Sequence, residues 1–162
     1  MDSLDYSGVK VGDRLPTLTH EVTATSVVLG ALASRDVRPM HHDRDFAQVR
    51  NGVRDIFMNT PNQAAWFERF LTDWTGPRGR IGRITFRMLD SVFPGDTMTL
   101  TGEVIRTWID QVNCGWVEVS MELRVGDDVR TRASAVVAVP HGVHDKTWGR
   151  DGDDWRPTGS PE

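Results

Sequence analysis

Apolar residues recur with a helical period in one segment of the chain and with a strand period in several later ones. The helical segment opens near Pro61, a residue that suits a first helical turn, and stops at Gly76-Pro77. Its large apolar residues follow a 3.6-residue period and form one broad stripe of Trp66, Phe67, Phe70, Leu71 and Trp74. This pattern predicts one long helix whose aromatic face has to be buried against another layer.

After this helix the chain alternates in the manner of β-strands. Residues 117–125 place apolar and polar side chains in turn, which is typical of a strand with one buried face. Strand patterns also cover 83–88, 97–109 and 129–139, and Gly-containing turns separate the later ones. We therefore expect a meander of four antiparallel strands. Wrapped around the long helix, such a sheet gives an α+β fold.

The remaining segments divide the chain into three parts. Residues 1–10 are polar and are expected to be a flexible N-terminus, and residues 11–140 form the folded domain. That domain opens with a short strand at 18–22 and an apolar helix that Thr25 is predicted to cap. Residues 141–162 are rich in Gly, Asp, Pro and Arg. They are expected to be a tail that drapes over a surface or another subunit, or stays mobile.

Composition narrows the functional classes. A chain of 162 residues suits one domain, and a net charge of −4 gives no basic footprint for nucleic acid. The single cysteine, Cys114, excludes an internal disulfide framework. No apolar run approaches the roughly 18 residues that a membrane span needs, and the N-terminus lacks a signal pattern. We expect a cytoplasmic protein that binds neither nucleic acid nor membrane.

The polar segment before the long helix concentrates Asp and His side chains between Arg35 and Asp45. Three interpretations are open. A metal site would draw on its two adjacent histidines and the acidic residues after them, although adjacent residues rarely point at one ion. In a structural loop, Asp36 or Asp43 caps a helix and the histidines are solvated. In a catalytic loop, Asp36 and His41 hold one water between a carboxylate and an imidazole, which take and supply protons.

The segment Asp36-Val37-Arg38-Pro39-Met40-His41 resembles the signature of MaoC-like (R)-specific enoyl-CoA hydratases, which reads Asp-x-Asn-Pro-(aliphatic)-His. Val92-Phe93-Pro94-Gly95-Asp96 is similar to the Gly-Asp turn that leads into the long strands of that family. The resemblance covers roughly residues 12–139. It implies a hotdog fold, in which an antiparallel sheet wraps a long central helix. It also implies that Asp36 and His41 are the catalytic residues of an enoyl-CoA hydratase, with no metal and no cofactor, since coenzyme A is part of the substrate.

A narrower resemblance concerns the substrate and the partner. The segments 41–45, 54–59 and 71–77 are similar to the small MaoC-like hydratase subunits of actinobacterial steroid side-chain degradation. In that group the small subunit carries the Asp/His pair and assembles with a second, degenerate MaoC-like chain that helps to bind a bulky thioester. The resemblance therefore implies a steroid-derived acyl-CoA substrate and either a homodimer or a heteromer with a second MaoC-like chain.

Two positions depart from the general family pattern. Arg38 stands where the signature has Asn, so the hydrogen bond of that Asn is made differently or not at all. Met58-Asn59 stands where many single-chain hydratases have His-Gly at the start of the central helix, with a backbone N–H facing the thioester carbonyl. Met58 and Asn59 are therefore candidate substrate-binding residues, and the Asn59 side chain would crowd the acyl group or hydrogen-bond to it.

Arginines after the long helix are candidates for the phosphates of coenzyme A. Arg78, Arg80 and Arg83 lie at the start of the strand that follows this helix, and arginine binds phosphate through bidentate contacts. The alternative is a solvated outer strand face with no ligand. The stripe of aromatic residues on the long helix is interpreted as core.

The mechanism that the resemblance implies is syn hydration of the enoyl thioester to a 3-hydroxyacyl-CoA. Asp36 acts as the general base on water, and His41 orients that water and delivers a proton to Cα. Backbone N–H groups at the start of the central helix meet the negative charge on the thioester oxygen. Alternatives on the same fold are an acyl-thioesterase, an acyl-carrier-protein dehydratase, and a non-catalytic hotdog subunit that supports a catalytic partner.

Overall fold

The computed structural model describes residues 4–157. This part of the chain contains three α-helices and five β-strands. The helices are α1 (Ala24–Ala33), α2 (Arg44–Asn51) and α3 (Thr60–Thr75). The strands are β1 (Leu18–Glu21), β2 (Arg80–Met88), β3 (Thr97–Ile109), β4 (Gly115–Val125) and β5 (Asp128–Val139). The long helix and the strands predicted from periodicity are thus confirmed, with bounds shifted by a few residues.

All five strands belong to one antiparallel sheet with the order β1-β3-β4-β5-β2. The predicted four-strand meander is wrong in one respect, because β2 pairs with β5 and not with β3. The loop from 89 to 96 causes this difference. It accepts a hydrogen bond from Met58 N–H at Val92 O and donates from Gly95 N–H to Val22 O, and it connects edge strand β2 to β3, which lies next to the opposite edge strand β1.

The sheet wraps α3, which is the arrangement of the predicted hotdog fold. Phe67, Phe70 and Leu71 are at most 2% exposed and pack against inward-facing strand side chains in one large core. Burial of each such side chain contributes about 1.5–3 kcal/mol. Trp66 and Trp74, at the borders of the stripe, are partly buried against the same core. The apolar stripe therefore explains why α3 sits inside the sheet.

Helix α1 begins two residues before the predicted position. Thr23, not Thr25, is its N-cap: Thr23 Oγ1 accepts from Ser26 N–H while Ser26 Oγ accepts from Thr23 N–H, both at 3.0 Å. This reciprocal capping box satisfies two backbone donors that Thr25 would leave unpaired.

Helix α1 crosses close to the first turn of α3 at Gly30. A Cβ atom at Gly30 would overlap the side chain of Asn62, whose Nδ2 donates to Ser26 O at 3.2 Å. The missing side chain therefore lets α1 approach α3, and it fixes where the end of α1 lies relative to the start of α3.

Both terminal segments contact the domain where they are described. Residues 4–10 belong to the expected flexible N-terminus; there Leu4 N–H donates to Thr75 O at 3.0 Å and Tyr6 N–H to Pro140 O at 2.9 Å. Residues 1–3 lie outside the described residues.

The tail from 141 to 157 lies along the outer face of the sheet of its own chain. There Trp155 packs against Trp116 with ring centroids 4.9 Å apart, and Trp116 in turn lies over Trp108. Residues 158–162 of the predicted tail lie outside the described residues. In the part of the chain from 4 to 157, no helix is long and apolar enough to cross a membrane.

Candidate active site

The loop between α1 and α2 turns sharply and brings the predicted Asp/His pair together. Immediately after α1, Arg35 takes a left-handed conformation with a φ of 56°, which is uncommon for a residue with a side chain. Asp36 N–H then donates to Ala31 O at 2.9 Å, which ties the loop to the end of α1. A short 3₁₀ helix, Pro39–His41, returns the chain so that His41 faces Asp36.

The two side chains meet through one oxygen and one nitrogen. His41 Nε2 lies 3.4 Å from Asp36 Oδ2. The His41 side chain is 5% exposed and the Asp36 side chain 21%, so the carboxylate is the half of the pair that reaches solvent. A separation of 3.4 Å is longer than a strong hydrogen bond, and a water on the open side can contact both groups.

The ring of His41 is held by the backbone of the segment before α3. His41 Nδ1 lies 2.7 Å from Phe57 O, and the Phe57 ring packs edge-on against the imidazole with centroids 4.9 Å apart. Because a carbonyl oxygen only accepts, Nδ1 is the nitrogen that carries a proton. Nε2 is therefore the nitrogen available for proton transfer at Asp36.

Asp43 has a structural role in the same loop. Its Oδ1 accepts from Phe46 N–H at 3.0 Å and caps α2, so the structural interpretation is right for Asp43. Asp36 instead lies in the loop ahead of the 3₁₀ helix. Among residues 4–157, no group of three or more His, Cys, Asp or Glu side chains is arranged to hold a metal ion.

Asn59 caps α3 and points at the Asp/His pair. Its Oδ1 accepts from Asn62 N–H at 3.1 Å, and its Nδ2 donates to Ser34 Oγ at 2.8 Å and to Asp36 Oδ2 at 3.1 Å. The residue is 2% exposed. The amide that was expected to crowd or bind the acyl group is therefore engaged by the protein.

Hydrogen bonding at Asp36 lowers the pKa of its carboxyl below the usual value. The amide of Asn59 is the largest cause, while burial acts in the opposite direction. Arg38, which replaces the Asn of the signature, adds a weaker contact, because its N–H lies 3.4 Å from Asp36 Oδ1 and its exposed guanidinium Nε lies 3.9 Å away. Asp36 is accordingly a carboxylate at neutral pH.

The residues around Asn59 differ in what they offer a ligand. Met58 is fully buried in the core and its N–H donates to Val92 O at 2.9 Å, so Met58 has no free backbone donor. Within the described residues, the N–H groups of Asn59 and Thr60 have no hydrogen-bond partner. They lie at the N-terminal end of a 16-residue helix, where the helix dipole favours negative charge.

Two of the three predicted arginines hold the tail. Arg78 donates to the carbonyl oxygens of residues 142, 143 and 145 at 2.8–3.3 Å. Arg80 donates to the carbonyl oxygens of residues 147 and 150, and its guanidinium lies 3.7 Å from the ring centroid of Trp155. Arg83 is exposed on β2 and has no partner in the described part of the chain.

Cys114 is buried in the outer tryptophan cluster, and burial raises the pKa of its thiol to about 12. A thiol in this state is a poor nucleophile. Cys114 therefore offers the candidate site no nucleophile.

Sequence reasoning missed two residues that shape the site. Ser34 anchors Asn59, and Phe57 provides the carbonyl for His41. A helix N-cap is readable at Asn59, because Thr60-Pro61 follows it. Nothing local in the sequence indicates that its amide also reaches Asp36, which is 23 residues away.

Known proteins similar to this chain share its fold over most of its length. No family model matches the chain. The beta subunit of 3-oxo-4,17-pregnadiene-20-carboxyl-CoA hydratase from Mycobacterium tuberculosis is 39% identical over 121 residues, which is 74% of this chain and 89% of that subunit. A chain in the crystal structure of the ChsH1-ChsH2 complex from Mycobacterium tuberculosis matches with a TM-score of 0.73 and 32% identity, over 80% of this chain and 98% of that chain. The MaoC-like dehydratase from Rhodospirillum rubrum has a TM-score of 0.76 at 20% identity, over 86% of this chain and 99% of that one.

Arg78 and Arg83 should differ in how much each contributes to the free energy of unfolding. Arg78→Ala removes three charge-assisted hydrogen bonds to tail carbonyls, so we expect the free energy of unfolding to fall by about 2 kcal/mol. The tail should also become sensitive to protease. Arg83→Ala makes the same change five residues later, at an exposed position of β2, and should leave the free energy of unfolding within about 0.5 kcal/mol of the parent. Equal losses in the two variants would contradict the anchoring role of Arg78.

Proposed function

Because the chain belongs to the MaoC-like enoyl-CoA hydratase family, we propose that it adds water across the α,β double bond of an acyl-CoA thioester. The observation that carries this proposal is the pair of Asp36 Oδ2 and His41 Nε2, 3.4 Å apart, each anchored by other groups. The product is a 3-hydroxyacyl-CoA. The reaction uses water and the thioester, and we propose no metal or redox step.

Asp36 is proposed as the general base. A water beside the pair gives one proton to the Asp36 carboxylate, and its oxygen forms a bond to Cβ of the substrate. The lowered pKa of Asp36 means that this carboxyl is ionised at neutral pH, which is the form that can accept a proton. As the C–O bond forms, the π electrons move to Cα and the thioester oxygen gains negative charge.

His41 is proposed as the general acid. With Nδ1–H held by Phe57 O, Nε2 takes the water-derived proton from Asp36 and passes it to Cα, which completes the addition of one water. Both groups act from the same side of the double bond, which is the condition for syn addition. The 3.4 Å separation of Asp36 Oδ2 and His41 Nε2 suits this transfer, and both groups end in the protonation states in which they began.

The free N–H groups at the start of α3 are proposed to bind the thioester oxygen. Asn59 N–H and Thr60 N–H lie at the positive end of the helix dipole, which stabilises an enolate. Removal of one such donor typically costs about 10²–10³ in rate. Backbone donors explain how Asn59 can replace a glycine here, since the N–H remains.

We propose a bulky, steroid-derived acyl group. Support comes from the similarity to the pregnadiene-carboxyl-CoA hydratase subunit, whose name gives such a substrate for that protein. Large apolar side chains are also exposed on α1 and on the loop that follows it: Leu29 and Leu32 on α1 are more than half exposed, and Val37, next to Asp36, is 73% exposed. These side chains would be buried by a large apolar ligand or by a partner.

We further propose that the chain works in a heteromer with a second MaoC-like chain. The similarity to a chain of the ChsH1-ChsH2 complex supports this arrangement. In addition, β2 pairs only with β5, so nine residues of strand edge are left for pairing within the described part of the chain. A long unpaired edge is normally covered in a stable protein.

Two rivals on the same fold, a thioesterase and a non-catalytic supporting subunit, are separated from this proposal on different grounds. A thioesterase releases free thiol and a hydratase does not, so thiol release distinguishes the two. A non-catalytic supporting subunit has no need of a carboxylate and an imidazole in contact. The pair therefore favours the catalytic interpretation.

Substitution of the pair tests the chemistry directly. We expect Asp36→Asn and His41→Gln each to lower kcat for a steroid enoyl-CoA by about 10²–10⁴, because each removes one proton-transfer group. The measurement is the loss of enoyl-thioester absorbance, with thiol release monitored in parallel. It is made on the chain alone and on the complex with its second chain.

The matched control is Asp43→Asn, which makes the same chemical change in the same loop and keeps a side chain able to cap α2. This variant should retain activity near that of the parent. Retained hydration in Asp36→Asn, in the chain or in the complex, would exclude Asp36 as the base and favour a supporting role.

Arg83 is proposed to contact the phosphates of coenzyme A. Arg83→Ala should raise KM for the acyl-CoA about threefold to tenfold, the cost of one exposed charge-assisted contact. The N-acetylcysteamine thioester of the same acyl group lacks the phosphates, and its KM should not change. An equal effect on both thioesters would show that Arg83 acts on the fold and not on the phosphates.

The proposed heteromer is tested by its mass in solution. Co-expression with the second MaoC-like chain should give a complex of defined stoichiometry in sedimentation equilibrium. Because the interface buries apolar surface, the thermal stability of the complex should exceed that of the chain alone. A stable lone monomer with full activity on the steroid thioester would contradict this arrangement.

A further inference from the structure

The Asn59 amide uses its hydrogen-bonding groups on three separate parts of the protein. Its oxygen caps α3 at Asn62 N–H, and its nitrogen donates to Ser34 after α1 and to Asp36 in the loop. Both N–H bonds and one oxygen lone pair are therefore occupied by protein groups. A side chain held this way, and 2% exposed, has little freedom to rotate towards a substrate.

The direction of each bond in this network is fixed. Ser34 Oγ has one proton, which it donates to the carbonyl oxygens of Gly30 and Ala31 at 2.8 and 3.0 Å, so towards Asn59 it accepts. The other end of the amide faces the N–H of Asn62, which requires the amide oxygen there. The NH₂ group must therefore be the end that faces Asp36.

The two oxygens of Asp36 have different surroundings. Oδ2 contacts Asn59 Nδ2 at 3.1 Å and His41 Nε2 at 3.4 Å, whereas Oδ1 faces the backbone N–H and the guanidinium of Arg38 at 3.4 and 3.9 Å. The charged or titratable groups that face this carboxylate are therefore His41 and Arg38. Arg38 is solvent-exposed, so its charge is screened, and Asn59 is the buried neutral donor.

We propose that Asn59 is a positioning residue for Asp36: its amide sets the rotation of the carboxylate so that one defined oxygen faces His41. The effect of this positioning on turnover rests on the proposed hydratase function. The amide couples the start of α3, where the thioester oxygen is proposed to bind, to the base in the loop. Base and oxyanion donors are thereby held on one rigid unit, and small displacements between such groups cost large factors in rate.

The effect of Asn59 on the titration of Asp36 agrees with this geometry. The amide donates to the ionised carboxylate and is the largest cause of its lowered pKa. Loss of the amide should raise this pKa. A carboxylate in place of the amide should raise it further, because two like charges would then meet at about hydrogen-bond distance.

The experiment is a carboxyl-carbon NMR titration of Asp36 in the full chain and in two variants. Asn59→Ser keeps a side chain that caps α3 but is too short to reach Asp36, and Asn59→Asp keeps both shape and cap but replaces the donor with an acceptor. The titration needs no substrate, so it is independent of the proposed reaction. Thr23→Ala is the control, because it removes the cap of α1 and leaves the Asp36 contacts unchanged.

We expect the Asp36 pKa to move upward in Asn59→Ser, further upward in Asn59→Asp, and not at all in Thr23→Ala. In the assay of the complex, Asn59→Ser should lower kcat about tenfold to hundredfold with KM within about twofold, and the acid limb of its pH profile should shift to higher pH. If both Asn59 variants are folded and Asp36 keeps its wild-type pKa in each, the proposal is overturned. An upward shift combined with full activity of Asp36→Asn would instead overturn the hydratase function and leave the Asn59 contact intact.

Discussion

The close crossing of α1 and α3 is the constraint on which the site depends. At Gly30 the absence of a side chain lets Asn62 lie against α1 and bond to Ser26 O. The end of α1 thereby comes within hydrogen-bond reach of the start of α3. The loop that leaves α1 carries the carboxylate, and the start of α3 carries the free N–H groups. One packing contact between two helices thus decides the relative position of the groups that the reaction would need.

Local periodicity predicted the elements well because each long strand and α3 bury one face whose pattern is visible within a few residues. The sheet order was not predictable in the same way. Its origin is the loop from 89 to 96, whose hydrogen bonds reach Met58 and Val22. Nothing within the loop's own sequence specifies partners so far away, so a simple meander was the default expectation.

The site shows the same division between local and distant information. Asp36 and His41 lie five residues apart around Pro39; their spacing alone left three interpretations open, and the resemblance to a family signature singled them out. Arg78 and Arg80 were assigned to a ligand because their side-chain type suits a phosphate, and Met58 because it stands at the start of the central helix where the family places a backbone donor. Their structural partners lie far along the chain, with the tail carbonyls that Arg78 binds 64 to 67 residues away. A residue type indicates what a side chain can bind, and the fold decides whether that capacity is already used.

The hydrogen bond from His41 to the carbonyl of Phe57 differs in kind from the other contacts of the site. The acceptor is main chain, so no side-chain replacement at position 57 deletes it. The path of the backbone therefore fixes which imidazole nitrogen carries the proton, whichever side chain stands at position 57. The amide that donates to Asp36 belongs to the side chain of Asn59, so a substitution at position 59 removes it. The support of His41, the proposed acid, therefore survives substitution at position 57, whereas the support of Asp36, the proposed base, is lost with the side chain of Asn59.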